Sequence, residues 1–193
     1  MKRNIALILA AVLAASMISC GGGNDTADTS ADTTAAVTDT AATTDTTAAE
    51  TEAVIEANTV ATKLQVAFRD YVTANPDATA EEIAGALASN EAVALIGPAA
   101  MPIAEGWLNG FTADSITGFS EGAVFAPMIG TIAFMGYVFT LPEDADVEAF
   151  KTTLTSAADL RWNICTEADE MICDNVGNKV VFVMAPLSFE DAE

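Results

Sequence analysis

The sequence predicts an α+β fold: an N-terminal helical hairpin, then a small, mostly antiparallel sheet with one further helix. Three observations predict it. Two stretches with helical spacing of apolar residues open behind Thr59 and Thr79, each threonine placed as a cap. An uncharged run from Gly122 to Pro142 is rich in Val, Ile, Phe, Tyr and Thr, the residues that fit a strand, and an acid-led amphipathic helix follows it. The chain then closes on two apolar runs split by Gly177-Asn178, a hairpin turn pair. Helices first and strands later, without strict alternation, is the α+β pattern.

The first helix is expected from Thr59, with Val60, Leu64, Phe68 and Tyr71 or Val72 on one face, stopped by Asn75-Pro76. Thr79-Ala-Glu-Glu82 has the form of a capping box, in which the threonine hydroxyl and the glutamate each satisfy an orphan amide. It opens a second helix with Ile83 and Leu87 on one face, ended by Asn90. From Ala92 to Phe119 the chain is broken by Gly97, Pro98, Pro102 and Gly106. Trp107, Phe111 and Phe119 stand there among small residues, and packing as a lid over a core is favoured over a ligand-facing loop.

Gly122–Pro142 is long enough to cross a bilayer. Pro127, Gly130 and Gly136 interrupt it, however, and its flanks are Glu121, Glu143 and Asp144 rather than basic anchors. The favoured reading is a turn near Pro127 and a buried strand from Thr131 to Leu141. Such a strand is apolar on both faces only if both are covered. The helical hairpin is the expected cover on one side. The helix that starts at "PEDADVEAF" is expected on the other, its acids at the positive N-terminal end and Val147, Phe150 and Leu154 on one face. Met171–Val176 and Lys179–Met184 form the closing hairpin, and Pro186 ends it.

The first 53 residues differ in kind. Lys2 and Arg3 precede an uncharged apolar run, Ile5 to Ile18, and then Ser19 and Cys20. Basic start, short apolar middle and small residue make a secretory signal peptide, and 14 residues fall short of the roughly 20 that a span needs. Met17-Ile18-Ser19-Cys20 resembles the lipobox of bacterial lipoproteins, with Met where the usual Leu stands. The resemblance implies that residues 1–19 are removed, that Cys20 is lipidated with palmitate-type chains, and that the protein is held extracytoplasmically at a membrane by that lipid. Without lipidation the same segment would be a secretory leader cut near Ser19.

Residues 21–53 carry eleven Thr, seven acids, no base and no aromatic. Such a segment cannot bury enough surface to offset its ordering entropy, so 20–53 is expected to be a lipidated cysteine followed by a disordered tether. Its average reach is about 30 Å. Residues 54–193 remain as one extracytoplasmic domain.

Of the chain's 28 acids and 7 bases, seven acids lie in the tether and two bases at Lys2 and Arg3. The domain is therefore left with 21 acids against 5 bases, a net charge of −16. Such a surface repels phosphate backbones, which excludes nucleic acid as a partner, and it disfavours anionic lipid.

The chain has no histidine. That removes Ser-His and Cys-His nucleophile pairs, His-ligated zinc and the usual neutral-pH base. No phosphate-cradling glycine loop or calcium-loop pattern occurs, so neither cofactor nor metal is expected. Glu105, Asp114 and Glu121 lie among aromatics and glycines and are the carboxylates on which acid-dependent glycan chemistry would rest. The plainer account is a solvated acidic surface. Cys165 and Cys173 are the remaining cysteines, and the exported compartment favours a disulfide between them over two buried thiols.

"GYVFTL" (Gly136–Leu141), "VEAFKTTL" (Val147–Leu154) and "VGNKVVFVM" (Val176–Met184) resemble an uncharacterised domain of bacterial lipoproteins, a strand, a helix and a closing hairpin behind a signal and tether. That family has no assigned activity. The expected function is thus a lipid-anchored, non-enzymatic binding or envelope-interaction module. The alternative is a small carboxylate-dependent enzyme acting on cell-wall or glycan material.

Overall fold

The computed structural model describes residues 55–128 and 131–189. The signal segment 1–19, Cys20 and the tether to residue 53 lie outside the described residues. Helix α1 (Val60–Ala74) starts at Thr59 and helix α2 (Ala80–Ala88) at Thr79, both through capping boxes. In the second box the Thr79 amide donates to the Glu82 carboxylate at 2.8 Å, and the Glu82 amide donates to the Thr79 hydroxyl at 3.2 Å. The Thr79 amide and hydroxyl stabilise the charged form and lower the Glu82 pKa.

Five strands follow: β1 (Ala99–Ile103), β2 (Glu121–Ala126), β3 (Met135–Thr140), β4 (Glu170–Val176) and β5 (Lys179–Ala185), with helix α3 (Val147–Ala157) between β3 and β4. The sheet order is β1-β2-β3-β5-β4, and every pairing is antiparallel. The fold is α+β, as the element pattern predicts.

Two strands have no counterpart in the sequence reading. β1 contains Pro102, which removes a ladder donor and is tolerated because β1 is an edge strand. β2 lies in the first part of the uncharged run, where the glycine and proline content suggested only a turn. β3 begins at Met135, four residues after the expected start. Asp146 caps α3 through the Ala149 amide at 2.9 Å, so Pro142 to Ala145 form the approach to the helix rather than its first turn. Among the described residues no helix is long and apolar enough to cross a membrane.

The sheet is buried on both faces, and the period of two along β3 and β5 separates two cores. Val138, Val181 and Val183 face α1 and α2, where Leu64, Phe68, Ile83 and Leu87 are buried. Tyr137, Phe139, Phe182 and Met184 face α3 and the segment before β2, where Phe111, Phe119, Phe150 and Leu154 are buried. Aromatic rings pack through this second core, Tyr137 stacked on Phe139 at 5.8 Å and Phe119 tilted against Phe139 at 5.0 Å between centroids. Phe111 and Phe119 thus pack as the lid expected of them, while Trp107 is 68% exposed.

A cluster of polar contacts around Asp174 fixes α1 to the edge strand β4. Asp174 is buried, and Arg69 binds it with two nitrogens at 2.6 and 2.8 Å while Gln65 donates at 2.8 Å. Burial by itself would raise the Asp174 carboxyl. The Arg69 and Gln65 hydrogen bonds, the Asn175 amide and the Arg69 charge outweigh it and hold the pKa below the usual carboxylate range. A lowered folded-state pKa contributes stability above the unfolded value of about 3.9, lost as pH falls through the folded value. Arg69→Ala is expected to cost about 2 kcal/mol at neutral pH, a figure kept low by the partial exposure of Arg69. Urea midpoints of both proteins at pH 7 and pH 3 check this. The gap should narrow at the lower pH, and an equal gap would contradict the assignment.

Candidate functional site

The antiparallel pairing brings one end of every strand together. Ala99 of β1 pairs with Ala126 of β2, Phe125 with Gly136, Met135 of β3 with Met184 of β5, and Glu170 of β4 with Ala185. The described segments that enter or leave the strands at this end are 94–98, 127–128 with 131–134, 158–169 and 186–189. Two grooves open among them and meet at Ile132.

The first groove, of about 440 Å³, is walled by Phe134, Met135, Trp162, Ile164 and the amides Asn109 and Asn163. The second, of about 510 Å³, is walled by Leu95, Ile96, Ala133, Pro186 and Phe189, with Glu167 at its edge. Several apolar side chains stand out into solvent here. Ile164 is 98% exposed, Leu95 77% and Ile132 36%. Met128 and Leu187, next in the chain to wall residues, are exposed as well.

The loop that carries Ile164 is held by its own backbone. Trp162 donates to the Asp159 carbonyl, Thr166 to Asn163 and Ala168 to Leu160. The Thr166 hydroxyl donates across to the Thr131 carbonyl at 2.6 Å, which ties the two groove segments together. Ile164 is therefore held in solvent by an ordered turn. Two acids at this end are turned to backbone amides: Asp169 accepts from Leu187 at 3.1 Å and Glu170 from Ala61 at 3.3 Å. Among the described wall residues of both grooves Glu167 is the one charged side chain, and Arg161 lies 3.4 Å from its carboxylate.

The carboxylates singled out in the sequence do not share a site. Glu105 accepts from the Gly118 amide and closes the loop bridged by Gly106 and Ile116. Glu121 accepts from the Ala80 amide at 3.3 Å, at the start of α2, and lines a separate cleft of about 300 Å³ with Glu81 and Pro102. Asp114 is exposed on the loop between Phe111 and Ile116. Glu105 and Glu121 thus each satisfy an amide. Among the described residues no group of three or more acids or cysteines is arranged to hold a metal.

Cys165 and Cys173 are two free thiols. Cys165 is exposed on the first groove, and Cys173 is half-buried on β4 against the α3-side core. Burial pushes the Cys173 thiol up to about 12, which leaves it protonated and unreactive at neutral pH. Burial also raises the Tyr137 hydroxyl, which donates to the Asn109 carbonyl at 2.7 Å beneath the first groove.

Fold and site together define a class: an α+β domain, acidic overall, that presents two adjoining grooves at one end of its sheet, with Glu167 the one charged side chain among their described walls. No family model matches the chain, and neither does any curated protein or solved structure. The grooved end was not legible in the sequence because its walls come from four separated segments. The one local signal was the pair Ile164 and Leu95, large apolar residues in otherwise short connecting stretches.

Proposed function

We propose that the protein is a lipid-anchored, extracytoplasmic binding module, held at a membrane through Cys20 and working through the grooved end of its domain. In this reading residues 1–19 are a lipoprotein signal peptide and 20–53 a spacer. The observation that carries the binding role is the pair of adjoining grooves that share Ile132 and are bordered by exposed aliphatic side chains. A domain of −16 net charge has ample acids to cover its surface, yet leaves Leu95, Met128, Ile132, Ile164 and Leu187 exposed at one end. Exposed aliphatic side chains gathered around grooves at one end of a domain mark an interaction site. The anchor is supported by the lipobox-like Met17–Cys20 and the glycines behind it, with two or more acyl chains giving stable attachment.

The test of the anchor is Cys20→Ala. The wild-type protein is expected to partition into detergent and to label with a palmitate analogue, and the variant to lose both. A variant that labels as strongly as wild type would refute the lipid anchor.

A further inference from the structure

We propose that the grooved end docks on the lipid surface itself, seating Leu95, Ile132 and Ile164 at the boundary of headgroups and acyl chains of uncharged lipid. This rests on the anchored reading above and adds the identity of what the grooves meet.

The first reason is where the chain enters. The described residues begin at 55, and the Val60 amide donates to the Leu187 carbonyl at 3.0 Å. Leu187 sits between Pro186 and Ser188, both on the wall of the second groove. The start of α1, the first described element, therefore lies at the grooved end. The opposite end receives the other terminus of α1: Lys179, at the far end of β5, donates to the Ala78 carbonyl at 2.8 Å. The end at which the described chain starts is thus the grooved one.

The second reason is charge. Asp77, Glu81, Glu121, Glu143, Asp144 and Asp146 lie in the segments around the opposite end, near Lys179, Thr140 and the start of α2. Among the described wall residues of the grooves Glu167 is the one charged side chain, and Arg161 stands beside it. Glu56 and Glu91 are exposed outside those walls. Asp159, Asp169 and Glu170 also belong to the grooved end, so it is the groove walls rather than the whole end that carry little charge. A domain of −16 net charge meets least repulsion from a membrane through those walls, and anionic headgroups oppose even that.

The third reason is the kind of side chain presented. The protruding residues are Leu, Met and Ile. Protein interfaces draw their strongest contacts from Trp, Tyr and Arg, with Leu under-represented. Aliphatic tips on an ordered loop suit insertion by about 5–10 Å into the interfacial region. In the anchored reading the lipid on Cys20 keeps the domain at high effective concentration over the membrane, so weak docking is populated.

The experiment uses the mature full-length chain in phosphatidylcholine vesicles, with Trp107→Phe so that Trp162 is the sole tryptophan. Trp162 lines the first groove, and its emission reports contact with lipids brominated along the acyl chain. Bromolipid is expected to quench most of that emission. Leu95→Asp with Ile164→Asp should abolish the quenching, while circular dichroism and vesicle attachment stay unchanged, both side chains being exposed. Anionic lipid in the vesicle should weaken the quenching. A protein that remains attached with Trp162 unquenched, or quenched equally in the Asp variant, overturns the docking and leaves the anchor standing. A protein left in the aqueous phase overturns both. Unquenched Trp162 together with a dimer trapped by cross-linking identifies a second copy as the occupant and also overturns it.

Discussion

Tyr137→Asp is expected to leave the domain unfolded at room temperature. Tyr137 is 2% exposed on the central strand β3, with its ring stacked on Phe139 and tilted against Phe111 at 5.5 Å. Removing a buried aromatic side chain costs about 3–5 kcal/mol. The new carboxylate would lie in the aromatic core on the α3 side, where burial without a partner costs several kcal/mol more or forces protonation. The sum rivals the whole stability of a domain, about 5–15 kcal/mol. Phe134→Asp should act alike on the other face, since Phe134 is 1% exposed against Phe125 and Phe189.

Tyr137→Phe isolates the hydroxyl. It loses the bond to the Asn109 carbonyl, worth about 1 kcal/mol, and keeps the ring. Thermal melts followed by circular dichroism measure all three variants. A Tyr137→Asp protein melting within a few degrees of wild type would mean that β3 is not covered on its α3 side.

Gly136→Val is expected to cost about 3 kcal/mol or more, against the gain of up to about 1 kcal/mol that replacing a strand glycine otherwise brings. Gly136 pairs across the ladder with Phe125, and the Phe125 ring lies over the bare glycine backbone. A Cβ there would fall among the ring's Cε1, Cζ and Cε2 atoms. The ring cannot swing away cheaply. It is fully buried beneath α1 and α2 and meets Phe134 edge-on at 5.7 Å. Urea denaturation of Gly136→Ala, Phe125→Leu and the pair gives a second reading of the same contact. A smaller side chain at 125 should relieve part of the cost at 136, so the pair should be less destabilised than the sum. Strict additivity would show that the ring and the glycine are not in contact.

This glycine also explains why β2 forms where the run's glycine and proline content predicts only a turn. Read along the chain, Gly122, Pro127, Gly130 and Gly136 punctuate it and point to a turn and one strand. In the fold, Gly122 and Gly136 are places where another side chain needs the room. A Cβ on Gly122 would meet Phe119 and Ile103, as one on Gly136 would meet Phe125. Propensity sees a weak strand residue in each case, whereas packing supplies the missing side chain from a neighbouring strand or the segment before it.

The chain by itself determined what depends on nearest neighbours. Thr59 and Thr79 set the helix starts through contacts three residues away, and both caps form. Gly177 takes the left-handed φ of +57° that the two-residue turn between β4 and β5 requires, and β5 alternates between the two cores. Burial of β3 on both faces followed from a run without charge. Tertiary structure alone decided β1 and β2, whose residues carry little strand preference and are held by the ladder to β3. It alone gave Glu105 and Glu121 backbone amides to satisfy. It alone gathered Leu95, Ile132, Ile164 and Phe189 at one end, because antiparallel pairing superimposes strand ends that lie far apart in the chain. Local hydrogen bonds act over three or four residues and can be read in order. A surface assembled from four segments exists only once the sheet has closed.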